Sequence, residues 1–167
     1  MIAYLALGSN RGERARELQA ALEEIERAGM RVRRVSRPVM TRPQAATGRG
    51  WFLNAVAEVE TELLPRVLLH RLQAIERAHR RRRQAWPRKN TPRRLDLDVI
   101  FYGRVRLSSR ELKLPHPRWR GRAFVVEGLR ELSASLGGRA GLGGRGLPGP
   151  RPGAAGWPPW PRPDRSA

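Results

Sequence analysis

Two aspartates two residues apart, Asp96 and Asp98, stand in the run Pro92-Arg93-Arg94-Leu95-Asp96-Leu97-Asp98-Val99-Ile100-Phe101-Tyr102. Strict alternation makes this a strand, with Leu95, Leu97, Val99 and Phe101 on one face and Asp96, Asp98, Ile100 and Tyr102 on the other. Carboxylates projecting side by side repel each other unless a cation lies between them. Just upstream are Arg80, Arg81, Arg82 and Arg83, then Arg88, Lys89, Arg93 and Arg94; from Arg77 to Arg94 there are nine Lys or Arg and no acid. Guanidinium groups hold phosphate oxygens, and paired carboxylates hold the Mg²⁺ that bridges them. The chemistry implied is group transfer from a nucleotide.

Several elements must position these groups. Ile2 to Leu7 reads as a first strand and Gly8-Ser9-Asn10-Arg11-Gly12 as a structural turn, with Asn10 as cap of the helix that follows. Leu18, Leu22 and Ile25 recur at helical spacing between Glu13 and Ala28, and Gly29 ends that helix. Arg31 to Ser36 is a strand whose two valines, Val32 and Val35, are interrupted by arginines. Phe52 to Glu60 alternates cleanly and puts Phe52 and Asn54 on one face. Pro65 opens a second helix, on which Leu64, Val67, Leu68, Leu72 and Ile75 mark a buried face and His70 and His79 are ordinary positions. Tyr102 to Leu107 reads as the turn and return of a hairpin, Leu114-Pro115-His116-Pro117 as a rigid loop, and Ala123 to Leu132 as a last amphipathic segment. The order strand, helix, strand, strand, helix, strand predicts an α+β fold: a ferredoxin-like antiparallel sheet with helices packed on one face. Proline and glycine bracket two irregular stretches, Arg37 to Gly50 and Arg80 to Thr91, expected to act as mobile lids over the active site.

Composition narrows the class. The 167 residues suit one domain with a real core. With no cysteine, disulfides and thiolate chemistry are excluded. No apolar run approaches a membrane span and the N-terminus reads as a first strand, so a cytoplasmic protein is expected. Nearly half of the formal charge of +19 falls in the Arg77–Arg94 stretch, which favours a phosphorylated small molecule over a diffuse basic coat. Residues 133–167 contain 16 Gly or Pro and no hydrophobic period, so the domain is expected to span 1–132, followed by a disordered tail.

Leu7-Gly8-Ser9-Asn10, Thr41-Arg42-Pro43, Phe52-Leu53-Asn54-Ala55, the Pro92–Asp98 run, and Leu114-Pro115-His116-Pro117 with Arg122-Ala123-Phe124 follow one another in this order. Together they resemble the hydroxymethyl-dihydropterin pyrophosphokinases of folate biosynthesis over about Met1 to Leu132. The resemblance implies a ferredoxin-like fold and transfer of pyrophosphate from ATP, the co-substrate, to a pterin hydroxymethyl group with two Mg²⁺ ions. It assigns both metals to Asp96 and Asp98, and the triphosphate to Arg81, Arg83 and Arg93 with His116 and Arg122. Gln73, Glu76 and Val99 would lie by the nucleotide. Thr41, Arg42, Gln44, Phe52, Asn54 and Phe124 would form the pterin slot, the amide of Asn54 meeting the ring edge and the two Phe rings its faces. Arg80, Thr91, Ala45 and Glu111 depart from the family's usual residues. The partners implied are small molecules, and the expected state is a monomer.

Two rival readings stand beside this one. A basic RNA-binding module on the same kind of sheet would need exposed aromatics, for which only Phe52 and Tyr102 are candidates, and it gives the aspartates no task. A catalytically impaired homologue would keep the motifs and lose turnover.

Overall fold

A computed structural model describes residues 1–10, 12–42, 50–81 and 95–137. Strand β1 (Ile2–Ser9) lies between β4 (Phe52–Glu60) and β5 (Asp96–Tyr102), antiparallel to both, and β2 (Arg31–Val35) pairs with the far side of β4. The sheet order β2-β4-β1-β5 is the ferredoxin-like one. The α+β class and the bounds of β4 are as the alternation predicts. Inside the stretch read as an irregular loop, Val39–Thr41 forms a short strand, β3, that continues the β4 edge by pairing Thr41 with Phe52.

Helices α1 (Arg14–Arg27) and α2 (Pro65–Arg81) cover one face. Leu18, Ala21, Leu22 and Ile25 of α1 pack with Leu68, Leu72 and Ile75 of α2 on Leu5, Leu7, Val59, Leu97 and Val99 of the sheet. Asn10 does not cap α1. The cap position is Glu13, without a side-chain hydrogen bond, because Gly12 at φ 62° prolongs the turn before the helix begins. Leu64 and Val67 stand 70% and 42% exposed, off the buried face of α2. That face runs Leu68, Leu72, Ile75 and then His79, which is 3% exposed rather than an ordinary surface position.

The third helix, α3 (Ala123–Gly137), packs on the opposite face, where Val125 meets Ala6 and Ile100. The helices therefore flank both sides of the sheet rather than one. Helix α3 continues past the boundary drawn at Leu132; residues 138–167, the rest of the expected tail, lie outside the described residues. Its seat is tight, since a Cβ on Gly128 would fall 2.6 Å from Val56 Cγ2. Arg34 anchors its far end, donating to the Leu132 carbonyl at 2.5 Å and pairing with buried Glu58, which also accepts from Tyr4 Oη at 2.9 Å.

Two bulges correct the simple alternation. In β2 the register steps past Arg33, so Val32 and Val35 both reach the core although three residues apart. In β5 the extra residue is Ile100, between Val99 (opposite Leu5) and Phe101 (opposite Tyr4). The bulge exchanges the last two side chains. Tyr102, expected on the aspartate face, is buried in the helix-side core and donates to the Leu63 carbonyl at 2.7 Å. Phe101, expected in that core, turns to the α3 side between Tyr4 and Trp119.

The predicted hairpin return also differs. Leu107–Ser108 (β6) pairs with Lys113–Leu114 (β7) in a separate two-stranded sheet, not with β5.

Candidate active site

On the α3 face, β4, β1 and β5 carry two rows of aligned residues. Asn54, Gly8 and Asp96 form one, Val56, Ala6 and Asp98 the next. Helix α3 roofs the sheet around Val56, Ala6 and Ile100 and begins at Ala123, so the end bearing Asn54, Gly8 and Asp96 stays open. A pocket of about 340 Å³ results, lined by Thr41, Arg42, Phe52, Asn54, Asp96, Asp98, Gly121, Arg122 and Phe124, with Ala6 to Gly8 as its floor.

The small residues on β1 make the room. A Cβ on Gly8 would lie 2.7 Å from Asn54 Oδ1, so the amide can stand there only over a glycine. Gly8, expected in a structural turn, is instead a residue of β1 opposite Asn54. The signal is in the sequence, since Ala6 and Gly8 are two small residues that share one face of a central strand. Asn54 is 5% exposed and its Nδ2 donates to Thr41 Oγ1 at 2.7 Å, which fixes the amide's orientation. Thr41 is in reach because β3 pairs it with Phe52. Arg42, at the rim, lies over the exposed Trp51 ring, 5.4 Å from its centroid.

Asp96 and Asp98 both line this pocket and both are half-buried. Arg122 Nη1 donates to Asp98 Oδ2 at 2.5 Å. The 3₁₀ turn Trp119–Gly121 sets that arginine in place, and Trp119 is held by Phe101, so the bulge supports it indirectly. Ile100, the bulged residue, accepts the His116 N–H at 2.9 Å and ties the Pro-His-Pro loop to β5. His116 Nδ1 accepts from the Arg118 N–H at 3.2 Å, which leaves Nε2 as its outward donor. Burial pushes the His116 pKa below its ordinary 6.5; Asp98 opposes this, and Arg122 and Arg118 add to it.

The remaining expected site residues divide. Glu76 Oε1 accepts the Leu97 N–H at 2.7 Å, so its carboxylate is engaged with β5 beside the aspartates. Gln73 lies half-buried on α2. Val99 is 2% exposed in the helix-side core, which leaves only its backbone for a nucleotide. Arg81 is the last residue of α2. Gln44, Arg83, Arg93 and most of both expected lids lie outside the described residues. Of the two aromatics an RNA surface would need, Tyr102 is in the core.

Asp96 and Asp98 are hard oxygen donors, and among the described residues no third His, Cys, Asp or Glu joins them to complete a protein-only metal cage. That donor set fits Mg²⁺, which is usually held by one or two carboxylates with water and substrate phosphates. No helix among the described residues is long and apolar enough to cross a membrane.

Comparison with known proteins gives one picture. The family model for 7,8-dihydro-6-hydroxymethylpterin-pyrophosphokinase (HPPK) matches residues 4–134. The 2-amino-4-hydroxy-6-hydroxymethyldihydropteridine pyrophosphokinase of Methylorubrum extorquens is 41% identical over 135 residues, 80% of this chain and 84% of its own. The protein of that name from Pseudomonas aeruginosa is 39% identical, covering 80% and 81%. Folic acid synthesis protein fol1 of Pneumocystis carinii is 37% identical over 133 residues, 80% of this chain but only 18% of that longer protein.

Proposed function

Because the chain belongs to the 7,8-dihydro-6-hydroxymethylpterin-pyrophosphokinase family, we propose how its residues serve the transfer of pyrophosphate from ATP to hydroxymethyl-dihydropterin in folate biosynthesis. One observation carries the reading: a single pocket is lined both by the Asn54 amide with Phe52 and Phe124 and by the Asp96–Asp98 pair. The first set suits a flat heterocycle with a donor–acceptor edge, the second a polyphosphate with divalent cations.

The pterin edge meets Asn54, pre-oriented by Thr41, while Phe52 and Phe124 pack on its faces. This aims the hydroxymethyl oxygen at the aspartate end of the pocket, where it attacks the β-phosphorus and AMP leaves. Asp96 and Asp98 would hold two Mg²⁺ ions, which, when bound, neutralise charge on the bridging phosphate oxygens. Arg122 exchanges Asp98 for phosphate oxygens as the nucleotide arrives, and His116 offers Nε2–H to the same group. Arg81, Arg83 and Arg93 complete the triphosphate clamp, with Gln73 and Val99 near the nucleotide and Arg42 and Gln44 at the pterin. Positioning and charge neutralisation do most of the work. The hydroxyl proton passes to water or phosphate, and no side chain is assigned as its base. The reading includes a monomeric, cytoplasmic enzyme.

The test is an assay of ATP with the reduced pterin, with and without Mg²⁺. Magnesium-dependent AMP formation is expected. ADP as the nucleotide product, or equal turnover in excess chelator, would overturn the reading.

A further inference from the structure

The mechanism leaves one buried polar cluster unused. His79, 2% exposed at its side chain, has Nδ1 2.9 Å from Glu17 Oε2 and Nε2 3.3 Å from Glu24 Oε2. The two glutamates lie seven residues apart on α1, on the same face of that helix, and are themselves only 20% and 11% exposed. A polar group at the next apolar position after Leu68, Leu72 and Ile75 costs stability compared with a leucine there. Packing alone therefore does not explain it.

Its place in the fold suggests what it does. Glu76 lies one turn before His79 on α2, and its Oε1 accepts the Leu97 N–H at 2.7 Å. Leu97 is the residue between Asp96 and Asp98. Strand β5 is the edge of the sheet, so an N–H that points away from β1 needs a partner from elsewhere. His79 thus ties the end of α2 to α1, and Glu76, three residues earlier on the same helix, ties α2 to the backbone between the aspartates.

We propose that His79 is a positioning residue for pyrophosphate transfer: by gripping Glu17 and Glu24 it fixes the end of α2, so that Glu76 sets the backbone from which Asp96 and Asp98 project. The inference rests on the function proposed above, since it assigns the aspartates to the nucleotide end of the reaction. The pterin wall, built on β1, β3, β4 and α3, is independent of His79. A buried hydrogen bond from His79 Nδ1 to Glu17, with the Glu24 carboxylate 3.3 Å from Nε2, fixes the rotation and translation of α2 along α1 more narrowly than an apolar side chain does. Displacement of reacting groups by about 1 Å can cost on the order of 10²-fold in rate.

The experiment compares His79→Leu, which keeps bulk and removes both contacts, with His79→Gln, which retains one donor. Steady-state kinetics are measured well below the melting temperature of each variant, and hydrogen exchange is followed at the Leu97 amide. In His79→Leu we expect kcat to fall about 10- to 100-fold or the KM for ATP to rise as much, the KM for pterin to stay within about twofold, and Leu97 to exchange faster. His79→Gln should recover part of each effect. A lowered melting temperature with unchanged kcat, ATP KM and Leu97 exchange would overturn the proposal and leave His79 a structural residue only. If His79→Leu does not fold, Glu17→Gln with the same readouts decides in the same way. Absence of AMP formation in the wild-type protein would count against the assigned function instead, while Leu97 exchange would still report on the positioning chain.

Discussion

Replacing Gly8 with alanine adds a single methyl group, yet it should act on one substrate and not the other. The new Cβ would lie 2.7 Å from Asn54 Oδ1 and 3.9 Å from Phe52 Cδ1. Gly8 does not adopt a left-handed backbone, so alanine introduces no strain of its own and the effect is steric. Asn54 cannot swing away freely, because it is 5% exposed and its Nδ2 is held by Thr41 Oγ1 at 2.7 Å. To admit the methyl, the amide must leave that hydrogen bond or turn from the pterin. Either costs about 1–3 kcal/mol, the range for a buried polar group losing its partner. At about 1.4 kcal/mol per decade this is roughly a 5- to 150-fold rise in the KM for pterin. The KM for ATP should change by less than about threefold, since the atoms nearest the new methyl belong to the pterin wall. Steady-state kinetics with each substrate varied in turn would read this. In an Asn54→Ala background the same change should cost almost nothing more. A Gly8→Ala enzyme whose pterin KM stayed within a factor of two would refute the reasoning that β1 was cleared to make room for the amide.

Other perturbations follow from the same geometry. Asp96→Asn and Asp98→Asn should each lower kcat by about 10²-fold or more, with an unchanged circular dichroism spectrum. Arg34→Met removes the guanidinium from Glu58, which is 8% exposed, and should cost about 3–5 kcal/mol in urea unfolding because a buried carboxylate is left with Tyr4 alone. In the metal-free protein His116 should titrate by NMR below 6.5. The sign follows from its lowered native pKa: the unfolded chain takes up this proton first, so stability is full above 6.5 and falls as pH drops through that value. His116→Gln should flatten the decline, seen as a smaller loss between pH 7.5 and 5.5 than in the wild type.

Where one face of an element was uniformly apolar, the sequence was easily read. Leu18, Leu22 and Ile25 marked α1, and the alternation from Phe52 to Glu60 marked all of β4. The aspartates' face was legible because leucines alternate with them. Beyond Val99 the pattern failed, since Val99, Ile100, Phe101 and Tyr102 are all apolar or aromatic and alternation cannot show which of them is the extra residue. The same holds for Arg33, where the anomalous spacing of Val32 and Val35 was itself the trace of a bulge. Leu64 and Val67 misled because helix entry, not hydrophobicity, decides which side of the first turn is covered. Long-range contacts were out of reach: nothing local ties Arg122 to Asp98, or His79 to helix α1. Pocket space was the hardest to see, because it comes from what Ala6 and Gly8 lack.

The account depends on Asp96 and Asp98 gathering divalent cations where the nucleotide's phosphates arrive. Manganese binding, read by electron paramagnetic resonance with a nonhydrolysable ATP analogue and a pterin present, tests this directly. Wild-type protein should bind two ions per chain, and the Asp96→Asn/Asp98→Asn protein neither with comparable affinity. Equal stoichiometry and affinity in the two proteins would contradict it.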